Sequence, residues 1–160
     1  MSRPSSLLSL VRSVCALSVL SLAALAPARL SAQSSSREAI IPAGQSASPT
    51  LTPAIRAGNM VFASGQLGMS RTAPDTTIQG QTRLALEGTK KVLEAAGTNM
   101  AHATKCTVFL TDVQDFGGMN QVYREFFPSA PPARSTVVVA ALVVPGAKVE
   151  IECQAVMPGK

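Results

Sequence analysis

Two stretches with helical periodicity each stand between runs of β-branched residues, and this alternation limits the fold more than any other feature of the chain. Over residues 78–96, Thr82, Leu86, Thr89, Leu93 and Ala96 recur at helical spacing, flanked by Ala85 and Val92. Arg83, Glu87, Lys90, Lys91 and Glu94 take the other face, with Glu87 four residues before Lys91 in the favourable order. Gly97 closes this helix. A second helix starts from Asp112 as N-cap, with Asp115 in its positive first turn, and runs to about residue 127. Phe116, Met119, Tyr123 and Phe126 form its expected buried face. Gly117 and Gly118 signal either the close approach of another backbone or a weak first turn. Pro128, Pro131 and Pro132 stop the helix.

Strand signals fill the intervals. An edge strand is expected over 38–41, followed by a Pro- and Ser-rich loop over 42–53. Residues 54–57 and 60–63 flank the hairpin signal Gly58-Asn59. Residues 105–111 alternate Cys106, Val108 and Leu110 against Thr107, Phe109 and Thr111. Val137 to Val139 and Val143-Val144 precede the turn signal Pro145-Gly146, and a final strand carries Glu150 and Glu152. From residue 54 the order is strand, strand, helix, strand, helix, strand, strand. The expected class is α+β: one mostly antiparallel sheet with two helices on one face. The Val- and Ile-rich strands read as apolar on both faces, so a second copy is expected on the uncovered face.

The last two strands hold the candidate chemistry. Read as a hairpin, they bring Arg134, at the mouth of one strand, near Glu150 on the other. Glu152 shares the face of Glu150, being two residues on. A fixed guanidinium beside a carboxylate can hold an acid and move a proton.

Charge excludes one class of partner. The 160 residues carry a formal +5, but Arg3, Arg12 and Arg29 lie in a segment without acids. Residues 33–160 hold 11 basic and 9 acidic residues, or +2. That is no basic footprint for nucleic acid, and with no Trp and one Tyr there is little to stack bases on.

Residues 1–32 read as a cleaved signal peptide. Arg3 and Arg12 give the positive start, 14–25 the short apolar run, and Leu30-Ser31-Ala32 or Ala26-Pro27-Ala28 the cleavage site. Val14 before Cys15 argues against a lipoprotein. The expected product is exported, periplasmic or secreted, with no stable membrane anchor. It has a Ser-rich lead-in over 33–37 and one domain over 38–160. An oxidising compartment would allow Cys106 and Cys153 to pair; the preferred reading is two small buried hydrophobes. They make no metal site with the single His102, which also leaves no room for a Ser-His or Cys-His nucleophile.

Several segments together resemble a known family. They are GNMVFASGQ (58–66), the helix ending LEAAG at Gly97, TVFLTDVQDF (107–116), NQVYREFF (120–127), PPARS (131–135) and KVEIE (148–152). In this order they are similar to the reactive-intermediate deaminase family, also called Rid or YjgF, over about residues 38–157. The resemblance implies a chorismate-mutase-like fold and a homotrimer with clefts between subunits. It further implies cofactor-free hydrolysis of enamine and imine acids, such as 2-aminoacrylate, to 2-oxo acids and ammonia.

By that resemblance Arg134 grips the substrate carboxylate and Glu150 positions or activates water. Ser64 and Gly65 match positions at the cleft edge, and Asn120 an asparagine near the substrate. Two positions depart from the family: Thr136 stands where many members have cysteine, and Leu51 where they have a pocket tyrosine. Thr136 keeps a small hydroxylated side chain, whereas Leu51 removes a phenol that could order water. Two alternatives follow: a non-catalytic binder of small carboxylates, and an endoribonuclease-like member, which the charge disfavours.

Overall fold

The computed structural model describes residues 36–46, 48–69 and 75–159. The expected signal segment 1–32 lies outside the described residues, as does most of the lead-in. One six-membered strand path, β1(Arg37–Ile40), β2(Ala54–Ala57), β3(Met60–Ala63), β7(Val149–Val156), β5(Ala103–Leu110) and β6(Ala133–Val138), forms the sheet in that spatial order; the short β4(Gln66–Leu67) also pairs with β7. Helices α1(Ile78–Ala95) and α2(Phe116–Phe126) pack against each other, and α1 lies on β7, β4 and β3. The expected α+β class, with two helices on a mostly antiparallel sheet, is what the chain adopts.

Local chemistry sets the helix ends. Thr77 caps α1 by accepting from the Gly80 amide, and the Thr98 and Gly97 amides close its other end on the Leu93 and Glu94 carbonyls. The expected stripe of α1 is buried: Thr82, Ala85, Leu86, Thr89, Val92 and Leu93. The ion pair on its outer face is Lys90–Glu94 rather than the expected Glu87–Lys91. Asp112 does cap, but it caps a short 3-10 turn, and α2 begins only at Phe116. The buried face of α2 is Met119, Val122 and Tyr123; Phe116, its first residue, is exposed and Phe126 only half-buried. Of the two glycines, Gly118 answers to close approach: a Cβ there would press into the Ile78 side chain at the start of α1.

The sheet alternates cleanly. Cys106, Val108 and Leu110 of β5, with Val149, Ile151, Cys153 and Ala155 of β7, face the helices and form the core. Phe109 and Thr107 of β5, with Glu150, Glu152 and Gln154 of β7, face away. The expectation of strands apolar on both faces is therefore corrected. The open face mixes carboxylates and amides with Phe62 and Val137, which are 43% and 44% exposed.

The expected closing hairpin is also corrected. β6 pairs with β5 in parallel, and β7 pairs with β5 antiparallel from the other side. The unit β5–α2–β6 is a strand–helix–strand crossover, the connection that parallel neighbours require. Residues 139–148 then cross back to the centre of the sheet. Buried Gln81 anchors this return: its amide donates to the Asp75 and Gly146 carbonyls and accepts from the Lys148 amide. Lys148 itself reaches Asp115 at 3.1 Å.

One more reading changes. Cys106 and Cys153 are register partners across β5 and β7 and form a disulfide in the core, rather than standing as two separate buried thiols. They bridge 47 residues of chain.

Candidate active site

The β6 register decides where Arg134 points. Arg134 is the partner of Cys106 and Thr136 the partner of Val108, so both project to the helix-covered face. There α2 meets Arg134. Its guanidinium carbon lies 4.5 Å from the centre of the Tyr123 ring and 5.9 Å from that of Phe116, and Nη1 sits 4.0 Å from the Met119 sulfur. The aromatic faces favour the cation while leaving its donor edge free. Among the described residues no carboxylate lies within 4 Å of it, neither Glu150 nor Glu152.

An open pocket of about 460 Å³ surrounds this guanidinium, lined by Asn120, Tyr123, Arg124, Pro131, Pro132 and Arg134. The Tyr123 hydroxyl is buried without a hydrogen-bond partner. Burial pushes its pKa up to about 12, with the Arg134 charge pulling the other way. The Thr136 hydroxyl is likewise buried and unpartnered, beneath the pocket rather than on its wall. The departure at this position thus leaves a polar atom close behind Arg134.

Glu150 is elsewhere. It is the partner of Phe109 and of Leu67, on the open face. Its carboxylate lies over Gly65, whose missing side chain makes the room: a Cβ there would run into Oε1 and would stand 2.8 Å from Cδ. Burial raises the Glu150 pKa above 4.5, and the charge of Glu152 on the same face adds to the rise. Ser64 precedes Gly65 at the corner between β3 and β4; its hydroxyl donates to the Thr52 carbonyl at 2.7 Å, which ties the corner to the loop before β2. Leu51, in that loop, is 53% exposed.

The expected site residues therefore fall into two groups. Arg134 and Thr136 lie on the face that α2 covers, with Asn120 on α2 itself. Gly65 and Glu150 meet at the open face, with Ser64 beside them and Leu51 exposed in the loop that Ser64 tethers. The expected closeness of Arg134 and Glu150 within one subunit is overturned: β5 lies between their strands, and the two side chains leave opposite faces of the sheet. Sequence reasoning missed Tyr123, assigned only to the core, and Arg124. The signal was present in their spacing: three and four residues after Asn120, they lie one turn on along the same helix. Among the described residues no group of His, Cys, Asp and Glu could hold a metal ion.

Comparison with known proteins agrees with this fold. A chloroplastic Reactive Intermediate Deaminase A of Arabidopsis thaliana is 37% identical over 139 residues, covering 81% of this chain and 72% of its own length. A 2-iminobutanoate/2-iminopropanoate deaminase of Dermatophagoides farinae is 43% identical over 102 residues, covering 62% of this chain and 79% of its own. The solved structure of E. coli TdcF with bound serine superposes with a TM-score of 0.68 at 36% identity, covering 76% of this chain and 99% of that one. The family model described as endoribonuclease L-PSP matches residues 39–157. The chain belongs to that family, the Rid/YjgF family.

Proposed function

We propose that this protein hydrolyses reactive enamine and imine acids, of the 2-aminoacrylate and 2-iminopropanoate type, to 2-oxo acids and ammonia. The observation that carries this reading is the Arg134 guanidinium, seated on Tyr123 at 4.5 Å in an open pocket with no carboxylate of its own. Such a cation suits a bidentate contact with a substrate carboxylate. The deaminase names of the two relatives and the serine bound by TdcF support it.

In this reading the acid binds Arg134 as its imine; an enamine first takes a proton at its terminal carbon. Water adds to the imine carbon, and Glu150 accepts a proton from it. Glu150 returns that proton to the carbinolamine nitrogen, and ammonia leaves as the hydroxyl proton passes to the freed Glu150 carboxylate and the carbonyl forms. Its raised pKa suits both halves of that exchange. Since Arg134 and Glu150 leave opposite faces of one subunit, the site is completed across a boundary between copies. A homotrimer supplies three such boundaries. The exposed Phe62, Val137 and Val138 give the copies apolar surface to bury.

We place the work outside the cytoplasm, after cleavage of residues 1–32. The Cys106–Cys153 disulfide supports an oxidising compartment. A second reading, a non-catalytic binder of small carboxylates, is favoured by Leu51, which leaves this corner without a phenol.

One assay separates them. Imine is generated from alanine by an amino-acid oxidase and trapped with semicarbazide, and wild type is compared with Arg134→Ala. Suppressed trapping by wild type alone supports the deaminase. Unchanged trapping across several imino acids, with retained binding of pyruvate, leaves the binder.

A further inference from the structure

A second arginine, exposed Arg124, lines the pocket around Arg134. Arg124 follows Tyr123 on α2 and lines the same wall, and its Nε donates to the Asn120 carbonyl at 3.3 Å. That bond uses one donor and leaves the terminal amino groups of the fork available. The acid next to it in sequence does not neutralise it: Glu125 is taken by Arg83 of α1 at 2.7 Å. Among the described residues neither Arg124 nor Arg134 has a carboxylate within 4 Å. Tyr123, Pro131 and Pro132 supply the rest of the lining, an apolar wall that lowers the local dielectric and strengthens the attraction of both cations for anions. The open pocket of about 460 Å³ on one subunit leaves room for a second acidic group beside the one that Arg134 holds.

Two unpaired guanidiniums in one pocket of this size match a ligand with two acidic groups. We propose that Arg124 is a specificity-determining residue that selects 2-imino and 2-oxo acids carrying a second carboxylate on their side chain. Arg134 holds the carboxylate next to the reacting carbon and Arg124 the distal one. The reaction that supplies such a substrate is then the oxidation of an acidic amino acid, or loss of water from one that carries a hydroxyl on its β-carbon. The turnover part of this proposal rests on the deaminase reading; the binding part stands by itself.

The test measures both on the full chain as it is purified. Calorimetry compares 2-oxoglutarate with 2-oxobutanoate on wild type, Arg124→Gln and Arg124→Lys. Trapping with semicarbazide compares imines made from glutamate and from alanine. Wild type is expected to bind the dicarboxylate at least about tenfold more tightly, the scale of one charge-assisted contact. Arg124→Gln brings that ratio to within about threefold of unity, and Arg124→Lys retains part of it, which a purely structural role of Arg124 would not produce. Equal affinity of wild type for the two acids, or a ratio that Arg124→Gln leaves intact, overturns the proposal. A dicarboxylate preference in binding with neither imine consumed sinks the deaminase reading and upholds the selectivity; consumption of both imines alike with equal affinities does the reverse.

Discussion

Arg134 and Glu150 stand on opposite faces of the same sheet, Arg134 in register with Cys106 and Glu150 in register with Phe109, with β5 between their strands. A site that uses both must draw them from two copies. Subunits bearing Arg134→Ala and subunits bearing Glu150→Ala, each inactive alone, are therefore expected to complement when unfolded and refolded together. Random mixing gives about one boundary in four an intact pair, so activity returns to roughly a quarter of wild type. No recovery, in mixed oligomers verified by mass, would place the whole site within one subunit.

Gly65 is there for Glu150. The Gly65→Ala methyl has nowhere to go except into the carboxylate, so the Glu150 side chain must swing away. The expected result is a folded protein whose turnover falls about 10- to 100-fold, the range for a displaced general base. Circular dichroism and the trapping assay, run together, check it.

The pH dependence follows from the raised Glu150 pKa. The base works ionised, so the rate climbs with pH through that pKa, and the acid limb is displaced upward from the ordinary glutamate range. Stability runs the other way. A carboxyl that holds its proton more tightly folded than unfolded favours the fold at low pH, and that contribution is lost as pH rises from the ordinary glutamate range through the folded pKa. Melting temperature against pH is expected to fall less steeply across this window in Glu150→Gln than in wild type.

Tyr123→Phe separates packing from ligand contact. The buried hydroxyl has no partner in the unliganded protein, so removing it is expected to leave stability unchanged or raise it by up to about 1 kcal/mol. The ring face beneath Arg134 is kept. If a bound acid partners that hydroxyl, its affinity drops several-fold in the same variant. A melting curve and a 2-oxobutanoate titration read the two effects.

The disulfide makes a prediction of its own. Linking residues 47 apart restricts the unfolded chain, and its loss in Cys153→Ala is expected to cost about 2–4 kcal/mol. Chemical denaturation with and without reductant measures it, with mass spectrometry after thiol alkylation reporting the bond.

Elements held together by neighbours in sequence were legible, and those held by distant partners were not. The stripe of α1 and the hairpin around Gly58-Asn59 came from spacing and turn chemistry that act within a few residues. Val137 to Val139 with Pro145-Gly146 look locally like half a hairpin. The strand that fills the place beside β6 is β5, whose pairing no local signal records, although its position before α2 fits a parallel crossover. The same register decides the disulfide: Cys106 meets Cys153 only because β5 lies beside β7 with those residues opposite. In the site, Arg134 could be picked out through its surrounding motif. Its direction could not, since a shift of one residue would turn it to the other face. Nor did spacing show that α2 begins only at Phe116, after the 3-10 turn over Val113–Asp115, with that ring exposed near Arg134 instead of in the core.

The last strand made is the middle strand of the sheet: β7 pairs with β3, β4 and β5. A ribosome or a translocation channel releasing this chain from its N-terminus therefore releases β1 to β6 as two strips with no seam between them. Residues up to 138 can form helices and two separate edges, but the core closes only when Val149 to Val156 slide between them. The core stays open until residues 149–156 have emerged, and a break in the chain before them takes away its keystone rather than its fringe.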